Sequence, residues 1–148
     1  MIARVLVALD ASDRAPHVLE AAAEIAARFG ATLTLLRAIS IPPDFPPAAH
    51  VGPCDPLPAF LTKEAEDALQ ALVAALPEGV VTGVPVVRVG QSWRTILQVA
   101  DELDVDLVVI GSHGYYVLDR ILGTTASKVA NLARRNVLVV HDRAASAP

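Results

Sequence analysis

The sequence predicts a doubly wound α/β fold, a five-stranded parallel sheet with helices on both faces. Three observations carry it. Short aliphatic runs recur along the chain and alternate with segments of helical spacing, the pattern of a parallel sheet with helical crossovers. The runs are apolar at consecutive positions, as strands covered on both faces require. The composition fits as well: 53% of the 148 residues are hydrophobic but only 4% aromatic, so Ala, Val, Leu and Ile must build the core.

Each element has its own signal. Ile2 to Leu9 reads as the first strand and ends at Asp10. Ser12 or Asp13 is placed to cap the following helix, with Pro16 in its permissive first turn. Val18, Ala22, Ile25 and Phe29 give that helix an inward face, and Gly30 stops it. Thr32 to Ile39 forms a second strand. Residues 41–58 hold seven of the eleven prolines and read as a loop. A helix over about Ala59 to Leu76 presents Leu61, Ala65, Leu69, Leu72 and Leu76, and Val84 to Val89 forms a third strand closed by Gly90. Ser92 caps a helix with Trp93, Ile96, Leu97, Ala100 and Leu103 inward. Asp106 to Ile110 is the fourth strand, a helix runs from Gly123-Thr124 to about Arg135, and Asn136 to His141 is the fifth strand. Residues 1–143 read as one domain, with 144–148 as a frayed tail. A chain of this length buries about 70% of its unfolded surface.

Charge and cysteine content narrow the function. Sixteen acidic against twelve basic residues give a net charge of −4, which argues against a general grip on nucleic acid or an anionic membrane. Cys54 is the single cysteine, so no intramolecular disulfide forms and a reducing compartment is the simpler reading. Neither a signal pattern nor a membrane-length apolar run is present, and the chain reads as cytoplasmic.

The chemistry concentrates in one stretch. Gly111-Ser112-His113-Gly114 follows the apolar run Leu107 to Ile110, and Gly123-Thr124-Thr125-Ala126-Ser127 opens a helix. Glycines past a strand's carboxyl end let backbone approach a ligand closely. Hydroxyl residues at a helix start add donors to its free N–H groups and positive dipole end, the parts of a phosphate cradle. Asp10, Ala38, Gly90 and Gly111 all fall at carboxyl strand ends, where doubly wound sheets bind ligands. A P-loop and a dinucleotide fingerprint are both absent. Ala11-Ser12-Asp13-Arg14 is too charged for a flavin-phosphate loop, and a receiver domain would want a carboxylate where Arg88-Val89-Gly90 stands.

What remains resembles the universal stress protein family over nearly the whole chain. Val5-Leu6-Val7-Ala8-Leu9-Asp10-Ala11-Ser12 is similar to its first strand and acidic loop, and Gly30 to Leu36 to its second-strand entry. Asp106 to Gly114 is close to its signature, and Val137-Leu138-Val139-Val140 matches its last strand. The ATP-binding branch carries Gly-x-x-Gly, nine residues, then Gly and Ser or Thr. Here Gly111-x-x-Gly114 is followed by eight residues and Gly123-Thr124, and Ala126 stands where a second hydroxyl is common.

The resemblance implies a flavodoxin-like, adenine-nucleotide-α-hydrolase-like fold that binds ATP, with any Mg²⁺ arriving on the nucleotide. It implies that Asp10 bonds the nucleoside, that Ala38 and Ile110 flank the base, and that Gly111 and Gly114 leave room for ribose and phosphate. Ser112 and His113 complete the signature, and Gly123, Thr124, Thr125 and Ser127 belong to the phosphate cradle. It implies further a homodimer through Val137–Val140, an edge strand apolar on both faces. The expected role is regulatory, in a stress response. A nucleotide-free dimeric module of the same fold and a slow ATP phosphohydrolase are the alternatives. Hydrolysis needs a positioned base or metal clamp that the residues do not assemble.

Overall fold

Alternate residues of a strand face opposite sides of a sheet, so a strand apolar at every position needs cover on both. The computed structural model describes residues 1–41, 57–112 and 122–141 and satisfies that demand with two cores. Strands β1 (Arg4–Ala8), β2 (Thr32–Ile39), β3 (Val81–Thr82), β4 (Val86–Val89), β5 (Leu107–Gly111) and β6 (Asn136–Val140) form one sheet, every pairing parallel. Helices α1 (Ala15–Phe29), α2 (Leu57–Ala74), α3 (Ser92–Glu102) and α4 (Thr124–Leu132) make the crossovers. Val5 and Val7 of β1, with Leu33 and Leu35 of β2 and Val109 of β5, meet Val18, Leu19, Ala22 and Leu69 on the α1–α2 face. Leu6, Leu36, Val108 and Ile110 point the other way, onto Ile96, Val99, Ala126 and Val129 of α3 and α4.

The strand order is β3-β2-β1-β5-β6, with β4 also on β2. From β1 the chain winds outward through α1 and α2 on one face, then returns through α3 and α4 on the other side of β1. The winding therefore reverses between β1 and β5, and β1 also stops first there. Its last paired residue, Ala8, lies beside Leu36 and Ile110, whereas β2 runs on to Ile39 and β5 to Gly111. A notch opens at the carboxyl edge as a result.

The third strand differs from the sequence expectation. The strand expected over Val84–Val89 is only β4, and the additional short strand β3 precedes it; both pair with β2, separated by Gly83-Val84-Pro85. Pro85 has no N–H to give a ladder, and Val84 is 82% exposed. The sheet accordingly has six strands rather than five.

Helix ends differ too. The α1 N-cap is Arg14, not Ser12 or Asp13, and α3 is capped by Gln91, with Ser92 already inside; neither makes a side-chain capping bond. Gly30 does close α1, at φ 63°, and its N–H reaches the last carbonyls of the helix. Phe29 and Leu103, expected inward, lie exposed at helix carboxyl ends, while Leu19, Ala23, Ala26, Thr95 and Val99 are buried instead. Helix α2 begins at Leu57, so the last two residues of the expected loop are helical; Pro58 sits in the first turn, where its missing N–H costs nothing. The remainder of the Pro-rich segment with His50 and Cys54, and the 144–148 tail, lie outside the described residues.

The amino edge of the sheet is tied by charge. Asp106 Oδ2 accepts the N–H groups of Ala3 (2.8 Å) and Arg4 (2.9 Å). Asp104, in a left-handed conformation (φ 49°) that Asp tolerates, pairs with Arg135 (2.8 Å) and Arg4 (2.7 Å). Arg135 also reaches Asp101 at 3.3 Å, so one cluster joins the starts of β1 and β6 to the loop after α3.

The hydrogen bond from Arg135 and the charge of Arg4 hold the Asp104 carboxyl below the ordinary aspartate value, and the Ala3 and Arg4 N–H groups do the same for Asp106. A carboxylate depressed by folding adds stability above its unfolded pKa and loses it as pH falls through its folded pKa. Asp106→Asn is therefore expected to cost more stability near pH 7 than near pH 3, measured by urea unfolding; equal losses at both would contradict this. Leu69→Ala, which empties a fully buried position of α2, is expected to cost about 2–5 kcal/mol in the same assay.

Candidate functional site

Every helix after a parallel strand starts at the strand's carboxyl edge, so the notch above β1 is ringed by helix N-termini. A cavity of about 370 Å³ fills it, within the range of about 300–1,000 Å³ usual for small-molecule sites. Its floor is made of strand ends, Ala8, Ala38 and Ile110, with Gly111 and Val140 beside them. One wall is the loop after β1 and the first turns of α1; the other is Ser92 and Ile96 of α3 with the first turn of α4.

The turn after β1 is set by Asp10. Its Oδ1 accepts the Ser12 N–H at 2.9 Å and the Ser12 hydroxyl, a local closure typical of Asp in turns. Both bonds fall on Oδ1, and Oδ2 makes no hydrogen bond among the described residues. From the far side, Arg37 Nη2 donates to the Asp10 carbonyl at 3.0 Å, anchoring the turn to the end of β2. Asp10 is thus a turn residue and part of the cavity lining at once.

Gly111 sits where β5 passes under α1. A Cβ built there would lie 3.2 Å from Val18 Cγ2, so the glycine permits the helix to pack this close and keeps the floor open. Beyond it, the buried Ser112 donates its N–H to Val140 (2.9 Å), and the Ser112 carbonyl accepts the Gly123 N–H at 2.8 Å. The Gly123 N–H is therefore spent on the backbone rather than left for a ligand. The first bond inside α4 runs from Ser127 N to the Gly123 carbonyl at 2.9 Å. The amides of Thr124, Thr125 and Ala126 precede it, and the helix offers them no carbonyl. Ala126, named in the sequence only for the hydroxyl it lacks, lines the cavity.

Of the residues the sequence singled out, Asp10, Ala38, Ile110, Gly111, Ser112, Gly123, Thr124 and Thr125 come together in this lining. Ser127 does not; its hydroxyl donates to the Leu122 carbonyl at 3.3 Å. His113 and Gly114 lie outside the described residues, as do Tyr115, Tyr116 and Arg120. Trp93 packs at the edge of the α3–α4 core, with Arg94 and Lys128 at 5.1 and 5.0 Å from its ring centroid, and is no part of the lining. Sequence reasoning missed Arg14 and His17, which face the cavity from α1. The signal for Arg14 was the charged stretch after the first strand, read there only as a reason to exclude a flavin site.

Among the described residues no three His, Cys, Asp or Glu side chains gather to hold a metal ion, and no helix is long and apolar enough to cross a membrane. The lining is instead suited to an anion joined to a flat, partly apolar body. It combines unpaired helix amides and two basic side chains with small aliphatic strand ends and one carboxylate.

Known proteins share this architecture. The family model for the universal stress protein family matches residues 1–141. Universal stress protein A homolog 1 of Coxiella burnetii is 31% identical over 141 residues, covering 92% of this chain and 94% of its own. A universal stress protein solved in complex with cAMP is 28% identical with a TM-score of 0.60, covering 95% of this chain and 97% of that one. One from Archaeoglobus fulgidus, solved in complex with dAMP, is 25% identical with a TM-score of 0.64, covering 94% and 98%.

Adding a side chain at the close approach of α1 to β5 forces the two apart. Gly111→Val is expected to lower stability by about 1–3 kcal/mol, and Val18→Ala in the same chain to restore part of the loss. Urea unfolding of the three variants checks this; independent, additive effects would place the contact elsewhere.

Proposed function

The chain belongs to the universal stress protein family, and we propose that within it this protein binds an adenine nucleotide, ATP foremost, as a regulatory ligand. The observation that carries the reading is the cavity at the reversal of strand order, lined by eight of the residues the sequence had marked. Two relatives solved with cAMP and dAMP support an adenine nucleotide, since both ligands carry that base.

The residues divide the work by chemistry. Ala8, Ala38 and Ile110 offer an apolar bed for the base, and Asp10 Oδ2 accepts from the nucleoside's hydroxyl or amino groups. The amides of Thr124, Thr125 and Ala126, the Thr124 and Thr125 hydroxyls and the dipole of α4 take the phosphates. Bound Mg²⁺ would screen the phosphate charges and come with the nucleotide. Nucleotide occupancy would bridge the two walls of the notch and so alter a surface that partners read. The reading assigns no hydrolytic step. It includes a homodimer through the edge strand β6, whose Val137 to Val140 are only half-buried in the single chain.

Thr124 allows a sharp test, because it is the first residue of α4, where proline is tolerated. Gly123 before it has φ −59° and ψ 162°, a conformation that proline accepts in its predecessor. Thr124→Pro therefore removes one amide and one hydroxyl while leaving the helix in place. Charge-assisted bonds of this kind are worth about 1.5–3 kcal/mol, so Mg-ATP affinity is expected to fall about 10- to 150-fold. Calorimetric titration of nucleotide-stripped protein measures it. No saturable heat from the unsubstituted protein at millimolar Mg-ATP would favour the nucleotide-free dimeric module instead. Sedimentation velocity is expected to give twice the 15.5 kDa chain mass; a monomer at that mass would refute the β6 dimer.

A further inference from the structure

Main chain ties the first strand to the second as far as Leu9, whose N–H donates to the Leu36 carbonyl at 2.9 Å. At the next residue the main chain lets go. No backbone bond among the described residues joins Asp10 to β2, and a side chain takes over: Arg37 Nη2 donates to the Asp10 carbonyl at 3.0 Å. That is the one hydrogen bond of the Arg37 side chain among the described residues, and no carboxylate among them pairs with it. We propose that Arg37 is a positioning residue of the nucleotide site, which fixes the Asp10 peptide and so aims Asp10 Oδ2 at the nucleoside. The inference rests on the nucleotide reading above and adds a residue outside the cavity lining on which the nucleoside contact depends.

Alternation along β2 gives three consecutive residues three tasks. Leu36 packs on the α3–α4 core and offers its carbonyl to Leu9. Arg37 belongs to the opposite face, the side on which Leu33 and Leu35 of the same strand meet α1, and reaches the turn that leads into that helix. Ala38 lies in the cavity floor. One strand end therefore sets both the bed of the site and the turn that carries its carboxylate. Within the turn Asp10 is fixed at two points. Arg37 holds its carbonyl, and Ser12 donates its N–H, at 2.9 Å, and its hydroxyl to Oδ1. The Ser12 contacts set the rotation of the carboxyl group, and the Arg37 contact sets the peptide from which that side chain springs. With both in place the direction of Oδ2 is chosen before a ligand arrives, and binding has less freedom to remove. A guanidinium suits the task, because a bond from a charged donor is stronger than a neutral one.

The test is a double-mutant cycle in nucleotide-stripped protein: the original chain, Arg37→Met, Asp10→Ala and the pair, each titrated with AMP and with Mg-ATP once thermal unfolding has shown that it folds. Arg37→Met is expected to weaken both nucleotides about five- to tenfold, by the same factor for each, because the contact it supports is to the nucleoside. In the Asp10→Ala chain the same substitution is expected to change affinity less than about twofold. Arg37→Lys in the original chain is expected to keep part of the affinity, since it retains a charged donor. Arg37→Gln, polar but too short to reach the carbonyl, carries the cycle should the methionine variant not fold. No loss, or equal losses with and without the Asp10 carboxylate, would overturn the inference and leave nucleotide binding intact. A loss for ATP well above that for AMP would overturn it too, since Arg37 would then act as a charge on the phosphates. Failure of the original chain to bind either nucleotide would overturn the nucleotide reading itself, and this inference with it.

Discussion

A parallel sheet covered on both faces imposes one directional rule on everything else in this molecule. Apart from β3, which runs on into β4 along the same edge of β2, each strand with a successor is followed by a crossover helix that starts at the carboxyl edge and ends at the amino edge. All the positive helix ends therefore gather on one side of the sheet and all the negative ends on the other. The two cores, each continuous from strand face to helix face, hold this arrangement rigidly. Where the winding reverses and β1 stops short of its neighbours, the positive edge becomes a recess rather than a flat rim. No unusual residue is needed to create it.

The two edges have accordingly been given different side chains. At the amino edge, where α3 and α4 end, Asp101, Asp104, Asp106, Arg4 and Arg135 are committed to one another and to backbone amides. These are exposed pairs, individually weak, and their value lies in the number of chain segments they join. At the carboxyl edge the polar groups are less fully spent: Asp10 keeps an oxygen, and the first amides of α4 keep their protons. Arg37 makes the contrast within a single side chain. One of its terminal nitrogens holds the Asp10 carbonyl, while its Nε is buried with no hydrogen-bond partner among the described residues.

The sequence made the fold legible because parallel strands announce themselves as uninterrupted aliphatic runs, and the alternate burial of Val5, Leu6 and Val7 on opposite faces is what such a run means. The third strand was misjudged because Pro85 breaks the ladder without breaking the hydrophobic pattern. Phe29 and Leu103 were misplaced because periodicity continues to a helix's last residue, whereas cover by the sheet does not. At the site, the glycine and threonine positions were visible as motif. The commitment of the Gly123 amide to Ser112 was not, since it depends on which carbonyl lies opposite in space. Arg14 and His17 went unmarked because a charged turn and a charged cavity lining look the same in one dimension.

The bond between Gly123 and Ser112 has a further reach. It fastens the residue that precedes α4 directly to the residue that follows β5, so the station at which α4 begins is set by the end of β5. The eight residues counted after Gly114, one fewer than the family pattern, thus need not shift the helix amides. The helix start is thus moored by main chain alone, and a change of side chain on either side of that bond leaves the mooring in place.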